Sequence, residues 1–192
     1  MKKWLRQVNR GAILLVIVLL AVFVYLIVDA KNTNKDRKTL TKISEQYIRD
    51  SYILYQCPED LDFWRDEASL VQDLPTLLST QAEPLNHYFC DNEAVRSEQV
   101  SLACQFYISF YRAERLPITC TRVPTSITIE EVYHDSATIY VNVENTFEYV
   151  DASGKISSFN YTSTDLLSFL KQDGEWKLLS DSSSLHEFNY YG

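Results

Sequence analysis

Glycine is scarce in this chain, with four residues in 192, alongside three histidines and one methionine. That scarcity removes several classes of chemistry. A phosphate cradle needs clustered glycines whose backbone N–H groups approach the anion, and no such loop occurs. The G-x-S-x-G elbow and the H-E-x-x-H zinc motif are missing too. No C-x-x-C pair exists, and His87, His134 and His186 show no ligand spacing, so neither a metal nor a cofactor is expected. Basic residues are also short, at 18 Lys and Arg against 26 Asp and Glu. With residues 1–30 set aside, 14 basic and 25 acidic residues remain, a net charge of −11. Nucleic acid, which demands a basic face, is not an expected partner.

What the chain does have is one long apolar run. Gly11 to Val28, "GAILLVIVLLAVFVYLIV", holds eighteen residues without a charge. As a helix it would extend roughly 27 Å, close to the hydrocarbon thickness of a bilayer. Val28-Asp29-Ala30 would pass as a signal-peptide cleavage site, but the run exceeds the roughly 7–15 residues of such a segment. Residues 11–29 are therefore read as an uncleaved transmembrane helix. Lys2, Lys3, Arg6 and Arg10 flank it on one side; Lys31, Lys35, Arg37, Lys38 and Lys42 flank it on the other. Counting positive charges barely separates the two orientations. A ten-residue leader is easily retained inside, so the expectation is a cell-membrane protein with leader 1–10 cytoplasmic and the remainder extracytoplasmic. Its expected partners are the membrane and other membrane or cell-surface proteins.

Beyond the anchor, Leu40, Ile43, Tyr47, Leu54 and Tyr55 recur at helical intervals, predicting an amphipathic helix from about Asp36 to Tyr55 within a stalk at 30–56. Pro58, Pro75 and Pro84 divide the next region into short helices joined by turns. Asp91 is a plausible N-cap for the helical segment after it. There Val100, Ala103, Cys104, Tyr107, Phe110 and Tyr111 form a stripe that reads as core.

The pattern then changes to strands. Ser126 to Tyr133 is β-rich. Ala137, Ile139, Val141, Val143, Phe147 and Tyr149 alternate with Thr138, Tyr140, Asn142, Glu144, Thr146 and Glu148, the mark of a long antiparallel strand with one wet face. "DASGK" turns the chain back into a third strand at 156–171. Asp173-Gly174 makes a hairpin into Glu175 to Ser180, and the polar stretch after it reads as a run-out. Helices first and a curved antiparallel sheet second is an α+β, cone-like arrangement, placed at 57–183 with a tail at 184–192.

Few residues stand out as chemical candidates. Cys57, Cys90, Cys104 and Cys120 permit two disulfides in an oxidising compartment, though Cys104 also fits as a small core residue. Asp165, inside the third strand, is a weak pocket candidate; the plainer reading is a solvated carboxylate facing an edge. His87 at a helix end and His134 in a turn read as surface residues, and Asn160-Tyr161-Thr162 as a chance glycosylation match. No nucleophile stands at a readable spacing from a base, so no catalytic residue is assigned.

Lys171, Gly174, Trp176 and Leu178 match the Lys-x-x-Gly-x-Trp-x-hydrophobic signature of the last strand pair in nuclear transport factor 2-like, or cystatin-like, cone domains, which this pattern resembles. The resemblance implies Trp176 lying across the sheet as a core plug. Over roughly residues 36–183 the order of elements is also similar to the region preceding the amidase domain of some exported Gram-positive proteins. The cysteine-containing catalytic half of those proteins has no counterpart here, which implies a non-catalytic partner domain. In layout alone the chain resembles the membrane-tethered cone domains of conjugation machines.

Overall fold

The computed structural model describes residues 10–62, 66–90 and 93–183. The leader at 1–9, the capping role expected of Asp91, and the tail at 184–192 with His186 lie outside the described residues. The chain divides into two compact units between Lys38 and Thr39.

The described residues of the first unit form the N-terminal part of α1 (Arg10–Asp50). Among the described residues, this is the one helix long and apolar enough to cross a membrane, with a mean hydropathy of 2.6 over eighteen residues. From Leu14 to Ile27 its large apolar side chains are all exposed.

The second unit takes in the C-terminal turns of α1, where Leu40, Ser44, Tyr47 and Ile48 are buried, and a 3-10 turn at Ser51–Tyr55. Two more helices come next, α2 (Glu67–Gln81) and α3 (Glu93–Arg112). Asp66 caps α2, its side chain accepting a bond from the Ser69 amide at 2.9 Å. Pro75 does not divide this region as expected but sits inside α2. It stands on the exposed side, as does Val71 one turn earlier, so water is at hand where the helix loses a hydrogen bond.

Four antiparallel strands form one meander in sequence order: β1 (Arg115–Val132), β2 (Ser136–Asp151), β3 (Ile156–Gln172) and β4 (Glu175–Ser183). The expected α+β class, helices first and a curved sheet second, is what the structure shows. Asp173 and Gly174 take positive φ of 50° and 84° at the β3–β4 tip, as a two-residue hairpin requires. Trp176 is buried directly after it, with the Lys171 ammonium 5.1 Å from its ring centre. The free edge of β4 is partly covered, since Leu178 exchanges backbone bonds with Tyr88 and Cys90 at 2.7 and 3.0 Å.

Two strands are longer than their patterns suggest. β1 begins at Arg115, eleven residues before the predicted start, because Pro117 and Pro124 are tolerated on an edge strand beside irregularities in pairing. Register shifts fall between Pro117 and Thr119, Pro124 and Ser126, and Ile129 and Glu131. Each inserts one residue and flips the inward parity, from Pro117 to Cys120 and Arg122, then to Ile127 and Ile129, then to Val132. β4 behaves likewise. Its pairing slips at Leu179, so the buried set passes from Trp176 and Leu178 to Asp181 and Ser183. The first part of the expected polar run-out, residues 181–183, is therefore strand.

Candidate functional site

The inner face of the sheet carries a diagonal line of polar residues. Arg122 on β1 lies opposite Asn145 on β2, and Asp165 on β3 lies opposite Ser183 on β4. All four are buried, as are Ser163 and Asp181. Asp165 is thus not the solvated edge carboxylate expected of it. Strand parity points it inward, and the partner that makes burial tolerable comes from a segment not read as strand.

That partner is Arg122. Its Nη2 donates to Asp165 Oδ2, its Nε to Asn145 Oδ1 at 3.1 Å, and its Nη1 to Ser51 Oγ at 2.5 Å. Asn145 Nδ2 donates to Ser163 Oγ at 3.0 Å, and Ser163 Oγ donates to Asp165 Oδ1 at 2.9 Å. The four side chains close a ring. Ser183 Oγ adds a further bond to Asp165 Oδ1, and the Tyr55 ring lies 5.3 Å below the guanidinium. Burial pulls the Arg122 pKa down, but Asp165 first and Tyr55 next more than offset this and hold it above its ordinary value. An ion pair so completely hydrogen-bonded is the condition under which buried charges are tolerated.

Asp181 lies beside this ring without joining it. Its Oδ2 accepts from the Tyr47 hydroxyl at 2.8 Å, and its main-chain oxygen accepts from Gln99 Nε2 at 2.9 Å. Its Oδ1 has no hydrogen-bond partner, which among the described residues is true of only two other buried side-chain atoms, Ser44 Oγ and Tyr107 Oη. Burial raises the Asp181 pKa to about 7, with the Asp165 charge adding to the effect and Arg122 opposing it. Burial likewise keeps the Tyr47, Tyr55 and Tyr107 phenols above their ordinary range.

The remaining candidates are scattered. Cys57 follows the 3-10 turn after α1, Cys90 lies at the β4 edge, Cys104 is on α3 and Cys120 on β1; all four are free thiols. Burial pushes Cys57 up to about 11 and Cys120 up to about 12, leaving them poor nucleophiles. His87 is exposed and bonds the Pro84 carbonyl at 2.7 Å, and His134 is exposed in the β1–β2 turn. No group of three or more His, Cys, Asp or Glu among the described residues could hold a metal ion. What the arrangement can do chemically is hold charge and one exchangeable proton in a buried interior.

Sequence reasoning missed Arg122, Asn145, Asp181 and Tyr47 as a set. Asn145 had a signal: it occupies the inward parity of β2 between Val143 and Phe147. Arg122 and Asp181 had none, because both lie just past a bulge.

No family model matches the chain, and no curated protein matches it. Among solved structures it is similar to an NTF2-like family protein from Streptomyces avermitilis, at 12% identity and a TM-score of 0.42 over 78% of this chain and 95% of that one. It is similar to the intermembrane space region of the chloroplast protein ARC6, at 9% identity and a TM-score of 0.40 over 76% and 94%. A cyanobacterial iota-carbonic anhydrase, in complex with bicarbonate, is similar at 10% identity and a TM-score of 0.35 over 76% and 89%.

Proposed function

We propose that this is a single-pass membrane-anchored protein whose extracytoplasmic domain binds or assembles with other membrane or cell-surface proteins and performs no catalysis. One observation carries the reading, the unbroken exposure of apolar side chains from Leu14 to Ile27. Contiguous apolar surface of that kind has no place in water, whereas a bilayer is its natural solvent. A domain held at the surface then meets neighbouring components at raised effective concentration, so modest contacts suffice.

The closed ring favours binding over turnover. The guanidinium and the Asp165 carboxylate are engaged with each other and with Asn145, Ser163 and Ser183. A general base needs a reachable acceptor, and none of these groups offers one to solvent. The likeness in element order to the region before the amidase domain of exported Gram-positive proteins fits the same setting.

Fractionation and surface proteolysis test the reading. The chain is expected to stay with membranes after alkaline extraction, and added protease should remove a C-terminal epitope from intact spheroplasts. Recovery in the soluble fraction, or a protected C-terminus, would overturn it. Co-purification from mild detergent then separates a free-standing binder from a subunit of a secretion- or conjugation-type complex.

A further inference from the structure

We propose that Asp181 is a proton-carrying lock: its neutral carboxyl holds the C-terminal end of β4 against α1 and α3, and loss of the proton loosens that end.

The geometry sets up a charge imbalance. Facing Asp181 are Tyr47 from α1, Tyr55 from the turn after it, Glu98 from α3, Arg122 from β1 and Asp165 from β3. Arg122 is the single cation among them. Its Nε, Nη1 and Nη2 are directed to Asn145, Ser51 and Asp165, and none reaches Asp181. An ionised Asp181 would be a second buried carboxylate on one guanidinium, with Oδ1 bare. Burying an anionic oxygen without a hydrogen bond is among the costliest arrangements in a protein interior. A proton on Oδ1 removes the charge while the Tyr47 bond to Oδ2 persists. Ser44 Oγ, the other unpartnered buried oxygen of this region, lies one helical turn before Tyr47 on the same side of α1.

The contacts at stake are specific. The Tyr47 hydroxyl joins β4 to α1 and the Gln99 amide joins it to α3, both through Asp181. Beyond Asp181, among the described residues, the Ser182–Leu166 and Ser183–Asp165 pairs remain in the sheet. The sign of the effect is set by linkage. The folded chain holds the proton up to about pH 7, whereas an unfolded aspartate releases it near 3.8. The stabilising contribution is complete below the unfolded value and is lost as pH rises through the folded one.

The test uses the full-length chain in detergent micelles. Hydrogen–deuterium exchange of the 176–183 segment, corrected for intrinsic base catalysis, is measured from about pH 5 to about pH 9. Protection is expected to fall at least tenfold across neutrality in the wild type and to stay level in Asp181→Asn, which keeps the shape without the charge. Infrared spectra supply a second readout, independent of how the variant folds: the wild type at pH 6 should show the carbonyl stretch of a buried carboxylic acid, fading by pH 9. Level protection in the wild type, the same fall in Asp181→Asn, or no acid band at pH 6 would each overturn the proposal.

Discussion

Along β2, Asn145 and Phe147 are two residues apart and both fully buried, yet they belong to different kinds of core. Phe147 anchors an aromatic block. Its ring stacks on Phe159 at 5.1 Å and tilts against Phe106 at 5.3 Å, and Phe106 meets Phe110 at 4.5 Å. Asn145 belongs to the polar ring with Arg122, Ser163 and Asp165. The aromatic block is held by area and shape, tolerates small shifts and has no donors to satisfy. The ring is held by direction, since each member has a partner only in one geometry. The first kind of packing supplies stability. The second makes a particular strand register the tolerable one, because a slip of one residue would bury Arg122 or Asp165 alone.

Removal of one partner from the ring should cost the most. Arg122→Met leaves Asp165 buried and uncompensated, with an expected loss of about 3–5 kcal/mol. Denaturant unfolding of the full-length chain in micelles measures it. Adding Asp165→Leu should recover most of that loss, since a buried pair exchanged for apolar groups is often close to neutral. A double variant as weak as the single one would mean that the ring contributes stability of its own.

Phe147→Ala probes the other half. It should cost about 3–5 kcal/mol by lost burial and the cavity left behind. No second truncation nearby should rescue it, and its cost should not vary with pH. Rescue by a neighbouring truncation would show the block to be as directional as the ring.

A smaller change sharpens the boundary between them. Tyr47→Phe deletes the hydroxyl that bonds Asp181 Oδ2, for an expected loss of about 0.5–1.5 kcal/mol. That hydroxyl favours the ionised carboxyl, so its removal should also move the loosening of β4 to higher pH. A shift to lower pH would contradict the assignment of donor and acceptor.

The aromatic half was largely legible in the amino-acid order. Phe110 and Phe147 fell on the predicted faces, because apolar periodicity reports burial wherever a helix or strand is regular. Phe106 was missed since the buried side of α3 is turned slightly from the predicted stripe, toward Gln99 and Phe106. The polar half was not legible. Arg122 comes after Pro117 in a segment without clean alternation, and Asp181 sits in a stretch, "SDSS", with the composition of a loop. Asp165 was noticed but was read as solvated, the ordinary fate of a carboxylate without a visible cation.

The apolar helix, the order of helices before strands and the two hairpin tips at Gly154 and Gly174 were all readable from residue order. These rest on local chemistry: unbroken apolar length, periodicity and positive φ. Which charges are buried, and with whom, emerged from the folded sheet, because that depends on bulges in β1 and β4 that reset inward parity. A bulge is set by how one strand pairs with its neighbour, and the side chains at 122, 145, 165 and 181 are brought together only when the sheet has formed.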